Sequence, residues 1–251
     1  MKQTLLAIFL LSFPILMMGN NSAAELDSAT AAYTAGNYQK AIWHYQKVVD
    51  MKLESAELYY NLGNSWFKLN EMAPAILYYE KALRLDPNHA DIQFNLKVAN
   101  SRIVDKIDEV PQLFYERWWS KIKNLFNGNR WAFISLISFG LMLSLGILFF
   151  LTFSGNMRRL SFWSGLTIML IFFISSGFAW QARAEKIHHN QGIVFTQSVS
   201  VKSSPDQSST DLFVIHEGTK VRITERIGEW IEVRIANGST GWIQKNDLKE
   251  I

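Results

Sequence analysis

The residues best suited to acid–base or metal chemistry are histidines, and their spacing does not favour a site. They are His44, His89, His188, His189 and His216. None of them occurs in an HExxH pattern or in another ligand spacing typical of zinc. The chain contains no cysteine, which excludes disulfides, thiolate metal sites and cysteine nucleophiles. The sequence therefore predicts no metal centre, and the adjacent pair His188-His189 is most simply exposed to solvent.

The sequence also lacks the motifs of common enzyme classes. No GxSxG elbow, Walker loop or dinucleotide-binding turn is present, and the long apolar runs contain no acid or base suited to transport. The formal net charge is only +3, and the basic residues are scattered, so a nucleic-acid surface is not indicated. We expect a binding protein that uses no cofactor, not an enzyme.

The N-terminal segment, residues 1–24, has the layout of a secretory signal peptide. Lys2 precedes an apolar stretch from Leu5 to Met18, and small residues occupy positions 22 to 24. An uncleaved anchor is the alternative, although the apolar stretch is shorter than the ~20 residues that a spanning helix needs. In both cases we expect the rest of the chain after residue 24 to be directed to the export pathway.

Two further apolar runs, 131–153 and 160–180, contain no charged residue. Each is long enough to cross a hydrocarbon core of about 30 Å, so together they predict a transmembrane hairpin with its loop at 154–159. Basic residues flank the runs on both sides, and the positive-inside rule therefore leaves the orientation open. The export signal places both flanking regions on the outer face.

A segment rich in aromatic and basic residues leads into the first run, within a linker at 107–130. Residues 113–126 read LFYERWWSKIKNLF, and the aromatic residues recur at near-helical spacing. We interpret this segment as an interfacial helix that lies on membrane lipid. The alternative is an ordinary linker helix that packs on the soluble part of the chain.

An internal repeat with the 34-residue tetratricopeptide period precedes the membrane segments and superposes Ala41 on Ala75 and Tyr45 on Tyr79. The copy that begins at Ala56 resembles the tetratricopeptide consensus at its diagnostic positions, which are Tyr59, Leu62, Gly63, Trp66, Ala75, Tyr79, Ala82 and Pro87. The resemblance implies pairs of antiparallel helices over 25–106, closed by a capping helix from Ala90. Gly63 and Ala75 would keep the paired helices close.

The resemblance also implies a concave groove lined by the first helix of each repeat. It places several side chains toward the groove as candidate partner contacts: Tyr60, Asn64, Phe67, Lys68, Phe94 and Arg102. For the aromatic members, packing against a neighbouring repeat or the membrane-proximal helix is an equal alternative. Asn64 and Lys68 are the stronger candidates because they are polar residues on an otherwise packed helix.

From residue 191 onward the pattern changes to short stretches rich in Val, Ile and Thr, separated by turn residues. This pattern predicts four or five strands in a small closed barrel. The stretch resembles the bacterial SH3-like domain, above all in its closing GSTGWI at 238–243. Trp230 and Trp242 could line a peptide groove, although one of them is expected to be core. We expect residues 191–251 to fold on their own after a polar linker at 181–190.

The order of these modules resembles the BatE family of bacterial aerotolerance operons. The most specific stretches are YYNLGN at 59–64, FNL at 94–96 and FVIHEGTKV at 213–221. This resemblance implies membrane partners with von Willebrand factor A domains, an associated ATPase and a role in oxidative-stress tolerance. The export signal and the two spans predict residence in the bacterial inner membrane, with both soluble regions on the periplasmic face.

The predicted fold is therefore multidomain. It combines all-α tetratricopeptide repeats, a two-helix transmembrane hairpin and an all-β SH3-like small barrel. The predicted function is a non-enzymatic, membrane-anchored scaffold that assembles an envelope protein complex. The alternative is an envelope receptor that binds cell-wall peptides through the SH3-like domain.

Overall fold

The computed structural model describes residues 22–107, 113–187 and 190–251. The predicted signal peptide, apart from residues 22 to 24, and the His188-His189 pair lie outside the described residues. The chain divides into two compact units. One contains the described residues of Met1–Val110 together with those of Asn190–Ile251, and the other contains those of Pro111–His189.

The N-terminal part of the first unit is helical. Its helices are α1 (22–34), α2 (Tyr38–Asp50), α3 (Ala56–Lys68), α4 (Met72–Leu85) and α5 (Ala90–Asn100). Side-chain oxygens of Asn37 and Ser55 accept hydrogen bonds from backbone N–H groups in the first turns of α2 and α3. Such caps satisfy donors that have no partner within the helix, and they fix where each helix begins.

Helices α3 and α4 pack closely because Gly63 has no side chain. A Cβ atom at Gly63 would lie 2.6 Å from Cδ1 and from Cε1 of Tyr79. Tyr79, Leu62 and Ala75 are fully buried at this contact. The helical fold that the resemblance to the tetratricopeptide consensus implies is confirmed.

Helix α5 closes the stack and ends early. Ile92 and Ala99 are fully buried, so α5 covers apolar surface that α4 would otherwise leave exposed. After Asn100 the chain turns, and the ammonium group of Lys106 donates to the carbonyl oxygens of Asn100, Ser101 and Ile103. These bonds satisfy carbonyl groups that lack a helical partner at the C-terminus, which favours the stop at this point.

The second unit contains three helices in its described part: α6 (Phe114–Lys123), α7 (Gly128–Leu151) and α8 (Gly155–Ile187). Helices α7 and α8 form a hairpin, and both are long and apolar enough to cross a membrane. The turn between them is 152–154, shorter than the loop at 154–159 that the apolar runs predict. Helix α8 also continues through the polar residues 181–187, which the sequence assigns to a linker.

Residues 190–251 form an antiparallel sheet. Its strands are β1 (Gln191–Val194), β2 (Ser198–Lys202), β3 (Asp211–His216), β4 (Lys220–Ile227), β5 (Trp230–Arg234), β6 (Thr240–Gln244) and β7 (Leu248–Glu250). The strand order is β3-β2-β6-β5-β4-β1-β7. The all-β prediction is confirmed, but the described chain has seven strands instead of four or five. The short strands β1 and β7 contain four and three residues, too few to show a clear alternation of apolar and polar side chains.

The β-domain packs directly on the helical repeats. Ile193 of β1 and the C-terminal Ile251 are buried in the same apolar cluster as Ile76 of α4. Beside this cluster, Lys220 Nζ lies 2.8 Å from Glu80 Oε2. In the structure the β-domain shares one compact unit and part of one core with the helices, a contact that the sequence does not indicate. Folding of residues 191–251 on their own stays a prediction.

Asp105 ties the end of the helical region to the edge of the sheet. Its Oδ2 accepts hydrogen bonds from the His216 amide at 2.7 Å and from the Thr219 hydroxyl at 2.6 Å. Its Oδ1 lies 2.8 Å from His216 Nδ1. Burial alone would raise the pKa of the Asp105 carboxyl, but the hydrogen bonds from Thr219 and His216 outweigh burial and hold the pKa below its usual value. The ionised carboxylate therefore stabilises the docked β-domain.

We predict that Gly63→Ala destabilises the helical repeats by about 1–3 kcal/mol, because the added methyl group meets the Tyr79 ring. Thermal unfolding of the full chain in detergent, followed by circular dichroism, measures the loss. Gly140→Ala is the matched control, since a Cβ atom there meets nothing within 4 Å. The control should leave the midpoint unchanged or slightly higher, and equal midpoints for both variants would contradict the packing.

Asp105→Asn should loosen the contact between the β-domain and the helices by about 1–3 kcal/mol at pH 7, because a carboxylate with three hydrogen bonds is replaced. The folded pKa lies below the ordinary value of 3.8, so the stabilisation is present above that value and disappears as the pH falls through the folded pKa. Amide hydrogen exchange at 211–220 should therefore separate the variant from the natural protein at pH 7 and less so below pH about 4. Asp27→Asn, at an exposed position, is the control; equal protection in D105N at pH 7 would refute the role of Asp105.

Candidate protein-interaction site

A hydrogen-bonded cluster joins α3, α4 and α5 in the middle of the candidate groove. Asn64 Oδ1 accepts a hydrogen bond of 2.7 Å from the Tyr79 hydroxyl and one of 2.9 Å from Asn95 Nδ2. Asn95 Nδ2 also lies 3.2 Å from the Tyr60 hydroxyl. Burial raises the pKa of Tyr79, so its hydroxyl remains a donor at physiological pH. These bonds fix the position of the Asn64 carboxamide.

Asn64 consequently has a structural role, because its carboxamide oxygen accepts hydrogen bonds from two neighbouring helices. Removal of its side chain leaves the buried Tyr79 hydroxyl without its acceptor, a loss that costs about 1–3 kcal/mol. Within the described ranges no acceptor bonds to Asn64 Nδ2, so this donor remains available to a ligand. An alanine at this position would therefore change stability and binding together.

Tyr60 and Phe67 are half-buried and pack against other side chains. The Tyr60 ring centroid lies 6.2 Å from that of Tyr79 and 5.8 Å from that of His89. Phe67 contacts the helical core, and the guanidinium carbon of Arg102 lies 4.4 Å from its ring centroid. Each ring therefore has a packing partner inside the chain, and the Arg102 stack places a positive charge over Phe67.

Lys68, Phe94 and Arg102 are the candidate contacts most accessible to a partner. Phe94 is 66% exposed, so its ring has apolar area that a partner could cover. Lys68 and Arg102 are exposed, and neither forms an ion pair with any residue that the structure describes. We call these three residues the basic–aromatic surface; its chemistry suits a partner with acidic and apolar side chains.

The face of the helical repeats that holds the β-domain is a different one. Ile76, Glu80 and Arg84 recur every four residues, so they lie along one side of α4. Ile76 shares the apolar cluster, Glu80 pairs with Lys220, and Arg84 Nη1 donates to the Ile251 carbonyl oxygen at 2.6 Å. Lys68 and Phe94 of the basic–aromatic surface belong instead to α3 and α5, whereas Arg102 lies in the turn after α5 that also contains Asp105, the residue bonded to the β-domain.

In the β-domain, only one of the two candidate tryptophans is accessible. Trp242 is 8% exposed, and its strand neighbours are Lys202 of β2 and Glu232 of β5. Trp230, the first residue of β5, is half-buried. Trp242 is therefore the core member of the pair, and a ligand on the domain surface would reach Trp230 first.

Two residues of this region have roles that the sequence patterns do not indicate. Asn95 links α5 to Asn64, and Asp105 holds the β-domain through His216. Asn95 stands within the FNL triplet, next to the candidate Phe94, so its position offered a signal. Asp105 offered none, because the residues that it contacts begin 111 positions later in the chain.

Comparisons with known proteins identify both soluble modules. Residues 56–89 match the family model described as tetratricopeptide repeat, and residues 197–249 match the model described as bacterial SH3 domain. A human protein named tetratricopeptide repeat protein 6 is 30% identical over 102 residues, which cover 34% of this chain and 20% of that protein. The chain thus spans about a fifth of the length of this relative. It contains a tetratricopeptide repeat and a bacterial SH3-like domain, modules that support a protein–protein interaction role, and neither matched family is a catalytic one.

Proposed function

We propose that this protein is a non-enzymatic scaffold, anchored in a membrane by α7 and α8, that assembles an envelope protein complex through the basic–aromatic surface. The observation that carries the proposal is the exposure of Phe94, Lys68 and Arg102 on the helical repeats, the last two being positive charges without a counter-ion among the described residues. A partner segment with acidic and apolar side chains would bury Phe94 and neutralise both charges.

The β-domain supports this function by stabilising the helical repeats. A short array of helical repeats buries little apolar surface by itself. Ile193 and Ile251 add to the burial against α4, and Asp105 fixes the last turn of the helical region. The repeats are thus held in shape without any use of the basic–aromatic surface, which remains available to a partner.

The fold also supports a common location for the two soluble regions. Because the helical repeats and the β-domain form one compact unit, they must lie on the same side of any membrane that α7 and α8 cross. On our proposal that side is the periplasmic face of the bacterial inner membrane, since the predicted signal at 1–24 would export the helical repeats.

The order of the modules supports a more specific assignment. We propose membership of the BatE family, with partners that are membrane proteins containing von Willebrand factor A domains and with a role in oxidative-stress tolerance. A receptor for cell-wall peptides is the second candidate, favoured by the accessible Trp230 in a bacterial SH3-like domain. The burial of Trp242 leaves that receptor one fewer ring with which to grip a peptide.

The surface is tested by recovery of partners from membranes in mild detergent. Loss of a charged contact should weaken binding by roughly 1.5–3 kcal/mol, about ten- to a hundredfold, so K68A/R102A should release the partner. F94A should also release it, because the partner loses the apolar ring that it would bury. Lys40→Ala, at an exposed basic position on α2, is the control and should retain it. Asn64→Ala is a poor probe because it also removes the acceptor of Tyr79. Undiminished recovery with folded K68A/R102A and F94A would contradict the proposal.

The location is tested with single cysteines, which are informative because the natural chain has none. In intact spheroplasts, a membrane-impermeant thiol reagent should label Ser208→Cys in the β-domain and should not label Arg158→Cys near the hairpin turn. Permeabilised cells provide the control, since both positions are exposed and both should then react. The opposite labelling pattern in intact cells would mean that the topology is inverted.

A further inference from the structure

We infer that α6 is a membrane-surface helix that binds anionic phospholipid, with its aromatic side among the acyl chains and its lysines at the headgroup phosphates. The inference rests on the proposed function only in that α7 and α8 must be inserted in a membrane. It deepens that proposal by naming the chemistry that the bilayer must offer to α6.

One side of α6 consists of exposed apolar side chains, most of them aromatic. Tyr115, Trp118, Trp119 and Ile122 recur at spacings of three and four residues, which places them along one helix face. Trp118 is 71% exposed, Trp119 and Tyr115 are each 56% exposed, and Ile122 is 37% exposed. With Phe114 they line an open cavity of about 500 Å³. A continuous exposed apolar face of this kind marks a surface that another apolar body covers.

The position of α6 along the α7–α8 hairpin indicates that a lipid bilayer covers its aromatic face. The Trp119 ring centroid lies 5.0 Å from that of Phe178, and Trp119 Nε1 donates to Gln181 Oε1 at 3.4 Å. Trp131 of α7 also contacts Phe178, and its Nε1 donates to the Lys123 carbonyl oxygen at 2.8 Å. These contacts fix α6 where the apolar run of α8 ends and its polar residues begin, the depth at which Trp and Tyr settle in membranes.

The charges beside the aromatic face select the headgroup. Residues 113–130 contain the basic residues Arg117, Lys121, Lys123 and Arg130 and a single acidic residue, Glu116. On a helical projection Lys121 and Lys123 flank the two edges of the aromatic face, where long side chains can reach the phosphate level while the rings stay below. A basic excess at this depth attracts anionic phospholipid.

The test uses the full chain in lipid nanodiscs with single spin-labelled cysteines. Ile122→Cys lies on the aromatic face, Ser120→Cys lies on the opposite face, and Ile137→Cys is an exposed reference position in α7. Collision with oxygen reports contact with acyl chains, and collision with a nickel chelate reports contact with water. We expect the label at 122 to resemble the reference and the label at 120 to be water-accessible. Replacing phosphatidylglycerol with phosphatidylcholine should raise nickel access at 122 severalfold, and K121A/K123A should abolish that difference.

Each contrary outcome has a distinct meaning. Water access at 122 with a lipid-facing label at 137 overturns the inference and leaves membrane anchoring intact. Poor access of both reagents at 122 shows that protein, either another chain or a second copy, covers the face, and this also overturns the inference. Protection at 122 that is the same in both lipids overturns the selection of anionic lipid. Water access at 137 would instead refute the membrane anchor itself.

Discussion

The packing of the β-domain against α4 is the contact on which the rest of this structure depends. The chain leaves the helical repeats after residue 107 and re-enters the same compact unit at residue 190, after the two long apolar helices. Ile193 and Ile251 are then buried beside Ile76. A chain that returns to the core it started from can cross a membrane only an even number of times, and the two helices that could cross one meet this condition.

This contact also explains how so short a helical array can be stable while the basic–aromatic surface remains exposed. Repeat proteins are stabilised by neighbouring repeats, and terminal repeats need a cap. Here α5 provides one cap, and the β-domain covers one side of α4. Because that burial is supplied within the chain, Phe94 can remain exposed on α5 without being needed for stability. On our proposal, α4 holds the β-domain, and the exposed residues of α3 and α5 remain available to a partner.

Features of this structure could be predicted from the sequence where the interacting residues belong to one short repeat or one apolar run, and could not where they lie far apart in the chain. Gly63 and Tyr79 are sixteen positions apart in a fixed repeat pattern, and their close contact in the structure matches the pattern. The hairpin is predicted by hydropathy alone. The docking of the β-domain was missed because it depends on pairs such as Asp105 and His216, which no periodicity connects. Asn64 shows a subtler limit: its residue type and position indicate the groove, but they do not reveal that its carboxamide oxygen is bonded to Tyr79.

The most direct test of a single soluble unit is cross-linking in native membranes. Glu80→Cys and Lys220→Cys replace two side chains whose charged atoms lie 2.8 Å apart, in a chain that has no other cysteine. A short thiol-specific bifunctional reagent should join them within one chain, so that cleavage by protease between the two positions leaves the fragments linked. The pair Glu80→Cys and Asn237→Cys, with the second cysteine in the turn between β5 and β6, should stay unlinked. If the first pair is joined no more often than the second, the helical repeats and the β-domain do not form one unit and the account is wrong.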